Sequence, residues 1–236
     1  MPGTNPKSYF LAGFRDCSPF ILIVAPFGTL FGVVAVEAGL DLIETMSMTM
    51  LVIAGAAQFT AISLMQEQAP VAIVLLTAFA VNFRMAMYSA GLVPHLGRAP
   101  GWQRVLMSYF LVDQAFAVSL AKYEREPNLT MPQKVAYYIG ASVPLASLWV
   151  VFSLIGAVVG RAIPPEYSLD FALPVCFIAL SAPAMRSLPH FVAGLVSVIG
   201  ALALGWVPWS MGLIIAALLA MMAGAETERR LKRGVA

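Results

Sequence analysis

Eight apolar blocks, at 17–36, 46–65, 70–93, 104–121, 135–160, 169–185, 188–205 and 207–224, follow one another along the chain with short polar connections between them. Several reach the roughly 20 residues that carry a helix across a hydrocarbon core of about 30 Å. None shows the alternating short segments of a membrane barrel strand. The pattern predicts an all-α fold, a polytopic transmembrane helix bundle. The weakest split is at "GWVPW" between the last two blocks, which makes the count seven or eight. Trp206 and Trp209 suit a headgroup position there, and Pro208 can open the next helix. No connection has room for a soluble domain, so residues 1–236 read as a single integral membrane domain. The first block is longer than the apolar core of a signal peptide and ends in Glu37 without a clear cleavage site, so it reads as a retained helix.

Polar residues within the blocks are few: Gln58 in "AGAAQFTAISL", Asn82 and Arg84 in "VNFRMAMYSAG", and Asp113 with Gln114 in "YFLVDQAFAV". Arg84 is about nine residues, or roughly 13 Å at 1.5 Å per residue, from the nearer end of its block, too deep for easy snorkelling. A charge at that depth costs roughly 2.5–3.5 kcal/mol on insertion scales, so Arg84 must face protein or a wet cavity. Asp113, of opposite charge and similar depth, is its natural partner. Two readings of the pair stay open: a static bridge that fixes packing, or a site where both charges meet a ligand.

On a straight helix Thr77, Arg84, Tyr88 and Gly91 share one face, while Asn82, Ala86 and Ser89 lie roughly 160–200° away. Either the helix is broken near Asn82, or Asn82 ties this helix to another. Tyr109 and Asp113 share a face at i, i+4. The small residues before Gln58 let backbones approach closely. If the helix unwinds there, bare amides can hold a carboxylate and Gln58 can add a donor. If it stays wound, Gln58 bonds across packed helices.

Prolines at 19, 26, 144, 174 and 183 each remove an amide donor inside a block, which kinks or breaks a helix. Broken helices near a midplane site are a transporter habit. "GTLFG" (28–32) and "GAVVG" (156–160) lie 128 residues apart, and the same offset carries "AGAAQ" (54–58) onto "APAMR" (182–186), a hint of a two-fold internal repeat. Glycines at this spacing also serve as plain packing faces.

Composition agrees with the blocks: 60% of residues are apolar and 11% charged, against about 45–50% and about 25% in soluble domains. The net charge of +2 says little, but its placement says more. A cytoplasmic N-terminus puts Lys7, Arg15, Lys122, Arg125, Lys134, Arg186, Arg229, Arg230, Lys232 and Arg233 inside and only Arg98, Arg104 and Arg161 outside. This asymmetry predicts cytoplasmic N- and C-termini. His95 and His190 stand alone, and Cys17 and Cys176 sit in apolar context, so neither a metal site nor a cofactor is expected. No HExxH, GxSxG, P-loop or Asp-rich motif supports an enzyme. No basic soluble patch invites nucleic acid. The expected surroundings are the lipid bilayer.

"GTLFGVVAVEAGL", "MSMTMLVIAGAAQFTAISL" and "VNFRMAMYSAGLVPHL", in this order and spacing, resemble the AzlC-type branched-chain amino acid exporters, from about Phe14 through the fourth block. The resemblance implies a permease of the cell inner membrane that exports leucine, isoleucine and valine, with methionine or analogues as further candidates. It also implies a second, small membrane subunit of the AzlD type. In the family His usually follows Asn-x-Arg and Glu commonly follows the Asp of the fourth block. Here Met85 and Gln114 stand instead, so a proton role does not carry over to those positions.

An apolar amino acid needs donors for its carboxylate, an acceptor for its ammonium and a pocket for its tail. Arg84 can supply the first with planar bidentate geometry. Asp113 can supply the second and carry a coupling proton. Gln58, Asn82 and Tyr88 complete the candidate substrate-binding set, with Phe59, Phe83 and Phe116 as candidate walls. A channel or uniporter for small solutes and a structural membrane subunit are the rival classes.

Overall fold

Four stretches among the described residues are helical, long and apolar enough to cross a membrane: Pro6–Glu37, Val71–Leu96, Met131–Gly160 and Met211–Leu231. The structure, a computed structural model, describes residues 6–162, 185, 187–207 and 211–234, which contain helices and no strand. Helix α1 (Pro6–Cys17) runs through a 3₁₀ turn at Ser18–Phe20 into α2 (Ile21–Glu37). There follow α3 (Leu42–Leu51), α4 (Gly55–Gln66), α5 (Val71–Asn82), α6 (Arg84–Leu96), α7 (Gly101–Tyr109), α8 (Asp113–Arg125), α9 (Met131–Gly160), α10 (Leu188–Ala203) and α11 (Met211–Gly234). The chain is a membrane helix bundle, as the apolar blocks predict. The sixth block, with Pro174, Pro183, Cys176 and nearly all of "APAMR", lies outside the described residues, as do Pro208 and Trp209.

The chain divides into two units of contact, Met1–Ile62 with Ala78–Tyr167, and Ser63–Thr77 with Ser168–Ala236. In the second unit α10 and α11 form an antiparallel hairpin. Gly200 lies against Ala216, and Gly224 against Ala193 and Pro189.

In the first unit α1 and α2 lie along α9. Gly13 and Gly140 meet the backbone of the opposite helix at Tyr137 and Phe10, and Gly32 and Gly156 do so at Ser153 and Thr29. A Cβ at any of these four would run into a carbonyl group. The two Gly-xxx-Gly motifs are therefore opposite sides of one interface, where small residues let backbones touch. Residue numbers rise together along both helices, from Gly13 opposite Tyr137 to Gly160 opposite Val33, so the helices run parallel. Phe27, Phe31 and Trp149 of these helices gather around Phe59 of α4, with ring centroids 4.8–6.0 Å apart.

Among the described residues, the two full breaks do not fall at prolines. Pro26, Pro94 and Pro144 sit inside continuous helices, and Pro19 lies in the 3₁₀ turn between α1 and α2. Past two of them a hydroxyl bonds back within the helix. Thr29 donates to the Ala25 carbonyl and Ser147 to that of Val143, each at 2.9 Å. The continuous helices expected over 46–65 and 104–121 are instead split, at 52–54 and 110–112. A β-branched valine stands in non-helical backbone at each split, Val52 at φ −128°, ψ 89° and Val112 at φ −128°, ψ 155°. The halves have 10, 12, 9 and 13 residues. At 1.5 Å per residue, none is long enough to cross a core of about 30 Å alone. The third block is interrupted only at Phe83, where i→i−3 bonds from Phe83 to Ala80 and from Ala86 to Phe83 tighten the helix.

Parallel packing has a topological consequence. If α1–α2 and α9 each cross in the same direction, residues 38–130 must return the chain to its starting side by an odd number of crossings. Cysteines placed at Gly39 and at Leu129 should therefore react with an impermeant thiol reagent from opposite faces of sealed vesicles; labelling from one face would refute the parallel arrangement. Gly156→Leu should lower the detergent melting temperature steeply, as overpacking that costs about 1–3 kcal/mol or more. Gly101→Ala, with nothing within 4 Å of the added methyl, should leave it unchanged.

Candidate functional site

Arg84 and Asp113 each occupy the first position of a half-helix, Arg84 of α6 after Phe83 and Asp113 of α8 after Val112. Arg84 Nη1 lies 2.9 Å from Asp113 Oδ2, with the side chains 32% and 39% exposed. Carboxylates are stabilised at a helix N-terminus and cations are not. Here the N-terminal end of α8 and one guanidinium share one carboxylate, so the locality has positive potential to spare.

Donor and acceptor capacity is also left over. Arg84 Nε, Asp113 Oδ1 and Asn82 Oδ1 are buried without a hydrogen-bond partner, a condition that native proteins avoid unless something else meets the group. One turn on from Arg84, Tyr88 lies close to both Asp113 and Arg84. The Tyr88 ring stacks on Phe116 at 4.4 Å and 17°. Gly91 makes room for that stack, since a Cβ there would stand 3.2 Å from the Phe116 ring. Arg84, Asp113, Tyr88 and Phe116 thus form one cluster with unused hydrogen-bonding atoms.

Asn82 lies one residue before the interruption at Phe83. Phe83 has φ −58° and ψ −24°, close to 3₁₀ values. At three residues per turn, two steps place Asn82 and Arg84 roughly 120° apart, where a straight α-helix puts them about 160° apart. The tightening narrows the angle without bringing both side chains onto one face.

Gln58 is engaged elsewhere. It is fully buried, and its Nε2 donates to the Met48 carbonyl at 3.1 Å across the α3–α4 break, leaving Oε1 without a partner. Of the two alternatives at "AGAAQ", the backbone is unwound just before it, at 52–54, which leaves the first amides of α4 without an acceptor one turn back. Two candidate walls also fall away from the pair. Phe59 is enclosed by Phe27 and Phe31, and Phe83 is mostly exposed beside Phe79.

Sequence reasoning missed the groups that cap the broken ends. The Tyr109 hydroxyl donates to the Met50 carbonyl near the end of α3. That of Tyr138 donates to the Met107 carbonyl near the end of α7 at 2.9 Å. A tyrosine in an apolar block is the only sequence signal, and it does not say which carbonyl lies opposite. Among the described residues no three His, Cys, Asp or Glu side chains gather as a metal ion would need.

The sequence pattern of the AzlC protein family matches residues 19–163, which include the whole cluster. An uncharacterized membrane protein of Helicobacter pylori is 26% identical over 176 residues, 72% of this chain and 75% of the relative. The inner membrane protein YgaZ of Escherichia coli is 27% identical over 176 residues, 72% of this chain and 71% of the relative. An uncharacterized membrane protein of Archaeoglobus fulgidus is 27% identical over 191 residues, 79% of this chain and 80% of the relative. No solved structure matches the chain.

Removing one charge should harm the fold more than removing both. Asp113→Ala strands Arg84, and an unpaired ion in the membrane costs on the order of 2.5–3.5 kcal/mol. The double variant Arg84→Met with Asp113→Leu should recover most of that loss in detergent thermal unfolding. Equal destabilisation by both would show that the ion pair does not govern stability here.

Proposed function

The chain belongs to the AzlC family, and from that premise we propose that it is an inner-membrane secondary transporter exporting leucine, isoleucine and valine. Methionine and apolar analogues meet the same chemical demands. One observation carries this reading: Arg84, at the tightened turn after Phe83, pairs with Asp113 at the start of the half-helix α8, with Arg84 Nε and Asp113 Oδ1 still unused. Half-helix starts at a midplane site are how transporters commonly hold a substrate carboxylate.

A zwitterion entering this cluster exchanges one ion pair for two, its carboxylate on Arg84 and its ammonium on Asp113. The cluster carries no net unpaired charge before or after. The empty carrier can therefore change sides without an exposed ion. Tyr88 and Phe116 supply the adjoining apolar surface, and Tyr88 adds a hydroxyl beside Asp113. Protonation of Asp113 would release the ammonium, which ties export to a proton gradient without help from positions 85 and 114. Asn82 Oδ1 and the amides at the start of α4 near Gln58 are secondary contacts in this proposal. Both termini are cytoplasmic in this proposal, which the distribution of basic residues supports. A small AzlD-type membrane subunit is the proposed partner.

Labelled leucine flux in sealed vesicles tests this, with and without the small subunit co-produced. Arg84→Lys loses bidentate geometry and Asp113→Asn loses the charge, and a lost charge-assisted hydrogen bond of about 1.5–3 kcal/mol predicts a drop of about tenfold or more. Asp113→Asn should in addition abolish the response to an imposed pH gradient. Wild-type rates in both stably inserted variants would refute the site assignment. Flux that never saturates and shows no counterflow would point to a channel.

A further inference from the structure

Contacts within the first unit set the direction of each half-helix. α6 and α8 run side by side in the same direction. Arg84 meets Asp113 at 2.9 Å, Tyr88 stacks on Phe116, and His95, near the end of α6, lies 5.3 Å from Tyr123 between ring centroids. Between these two helices in sequence, α7 starts at Gly101, just past the end of α6, and stops at Tyr109, just before Asp113. It must therefore run back along α6, and residues from Ser89 to Gly97 and from Gly101 to Leu111 line one groove between them. The pair α7–α8 is thus a hairpin. Both of its ends lie level with Leu96, and its tip, 110–112, lies level with Arg84. Arg84 sits at the middle of the span Val71–Leu96, and at 1.5 Å per residue the tip is roughly 18 Å from the ends.

α3 and α4 fold back as well. Gln58 Nε2 bonds the Met48 carbonyl at 3.1 Å. Along a continuous helix ten residues span roughly 15 Å, farther than one side chain reaches. Met48 and Gln58 stand symmetrically about Ile53, in the break at 52–54. α3 begins at Leu42, directly after the turn that ends α1–α2, so this hairpin starts from the face opposite the start of α1. The Tyr109 hydroxyl donates to the Met50 carbonyl, so the two tips touch.

Charge follows this arrangement. The starts of α1 and α9 and both ends of α7–α8 share one face, with Lys7, Arg98, Arg104, Lys122, Arg125 and Lys134. The opposite face has Glu37, Asp41 and Glu44, and Arg161 is its one basic residue among the described residues of this unit. Eight successive crossings would put Arg98 and Arg104 outside; the hairpin returns them to the basic face, which marks the cytoplasm.

We propose that α7–α8 is a re-entrant hairpin entering from the cytoplasmic face, that α3–α4 enters from the opposite face, and that Tyr109 latches the two tips beside the Arg84–Asp113 pair. Asp113 opens α8, so drawing back the α7–α8 tip parts the ion pair and bares it to the cytoplasm. The latch resists that movement. The hairpins stand on the contacts above, and the gating role alone rests on the transport reading.

Single cysteines test this in the full chain, with Cys17 and Cys176 replaced by serine, in inside-out and right-side-out vesicles. Gly101→Cys and Asn128→Cys, beyond the two ends of α7–α8, should react with a membrane-impermeant thiol reagent from the cytoplasmic face, and Ile43→Cys from the other. Reaction at 101 and 128 from opposite faces makes α7–α8 a crossing segment and overturns the hairpin. Reaction of both from the external face overturns the cytoplasmic entry. Tyr109→Phe removes only the hydroxyl. It should raise the rate at which Val112→Cys reacts from the cytoplasmic face about fivefold, corresponding to roughly 1 kcal/mol. An unchanged rate, or no reaction in either background, refutes the latch. The labelling needs no leucine, so the two claims can fail apart. Same-face labelling in a chain without leucine flux refutes the transport reading alone. Leucine flux that depends on Arg84, in a chain labelled from opposite faces, refutes the hairpin alone.

Discussion

A helix interrupted within hydrocarbon exposes amides and carbonyls that lipid cannot satisfy, and the first unit of this chain is organised around meeting that demand. The chain breaks at 52–54 and at 110–112 and tightens at Phe83. The carbonyl end at each full break is capped by a side chain from a different element. Gln58 and Tyr109 serve the end of α3, and Tyr138 serves the end of α7. The caps make the irregular backbone tolerable and join the breaks to one another, since Tyr109 closes α7 and reaches α3. A frame of continuous helices then holds the arrangement, with α1–α2 against α9 at backbone distance.

The starts of α6 and α8 are used differently from the ends of α3 and α7. They receive no side-chain cap, and the charged residues at those starts, Arg84 and Asp113, bond each other. The positive end of α8 thereby becomes part of an electrostatic cluster. The carbonyl ends of the breaks are closed by side chains, and the amide end of α8 carries one member of the ion pair.

Much of this was legible in the sequence, and the failures have physical causes. The apolar blocks mark the membrane elements because burial in lipid leaves little freedom of composition. Arg84 and Asp113 could be matched because depth and charge leave few alternatives for an ion in oil. The breaks could not be placed, because Val52, Ile53 and Val112 are as much at home in a membrane helix as in extended backbone. What holds them open is a set of tertiary contacts. Pro26 and Pro144 show the complementary point: a proline ring removes one donor, and packing of α1–α2 against α9 keeps both helices continuous past it. For Gln58 the sequence left two roles open, and the structure combines them: the backbone before it is unwound, and its amide nitrogen bonds the Met48 carbonyl of the neighbouring helix. The glycine motifs, read as a repeat or as packing faces, are packing faces of each other.

The pairing of α1–α2 with α9 also bears on how the chain is made. The 93 residues from 38 to 130 separate these partners. At a synthesis rate of about 5–20 residues per second, the first helix waits roughly 5–20 s in the membrane before α9 emerges. Through that interval its glycine face lacks its partner, and Tyr138, the residue that closes α7, has yet to be made. The fate of the first helix during that wait is decided by whatever covers its glycines in the meantime.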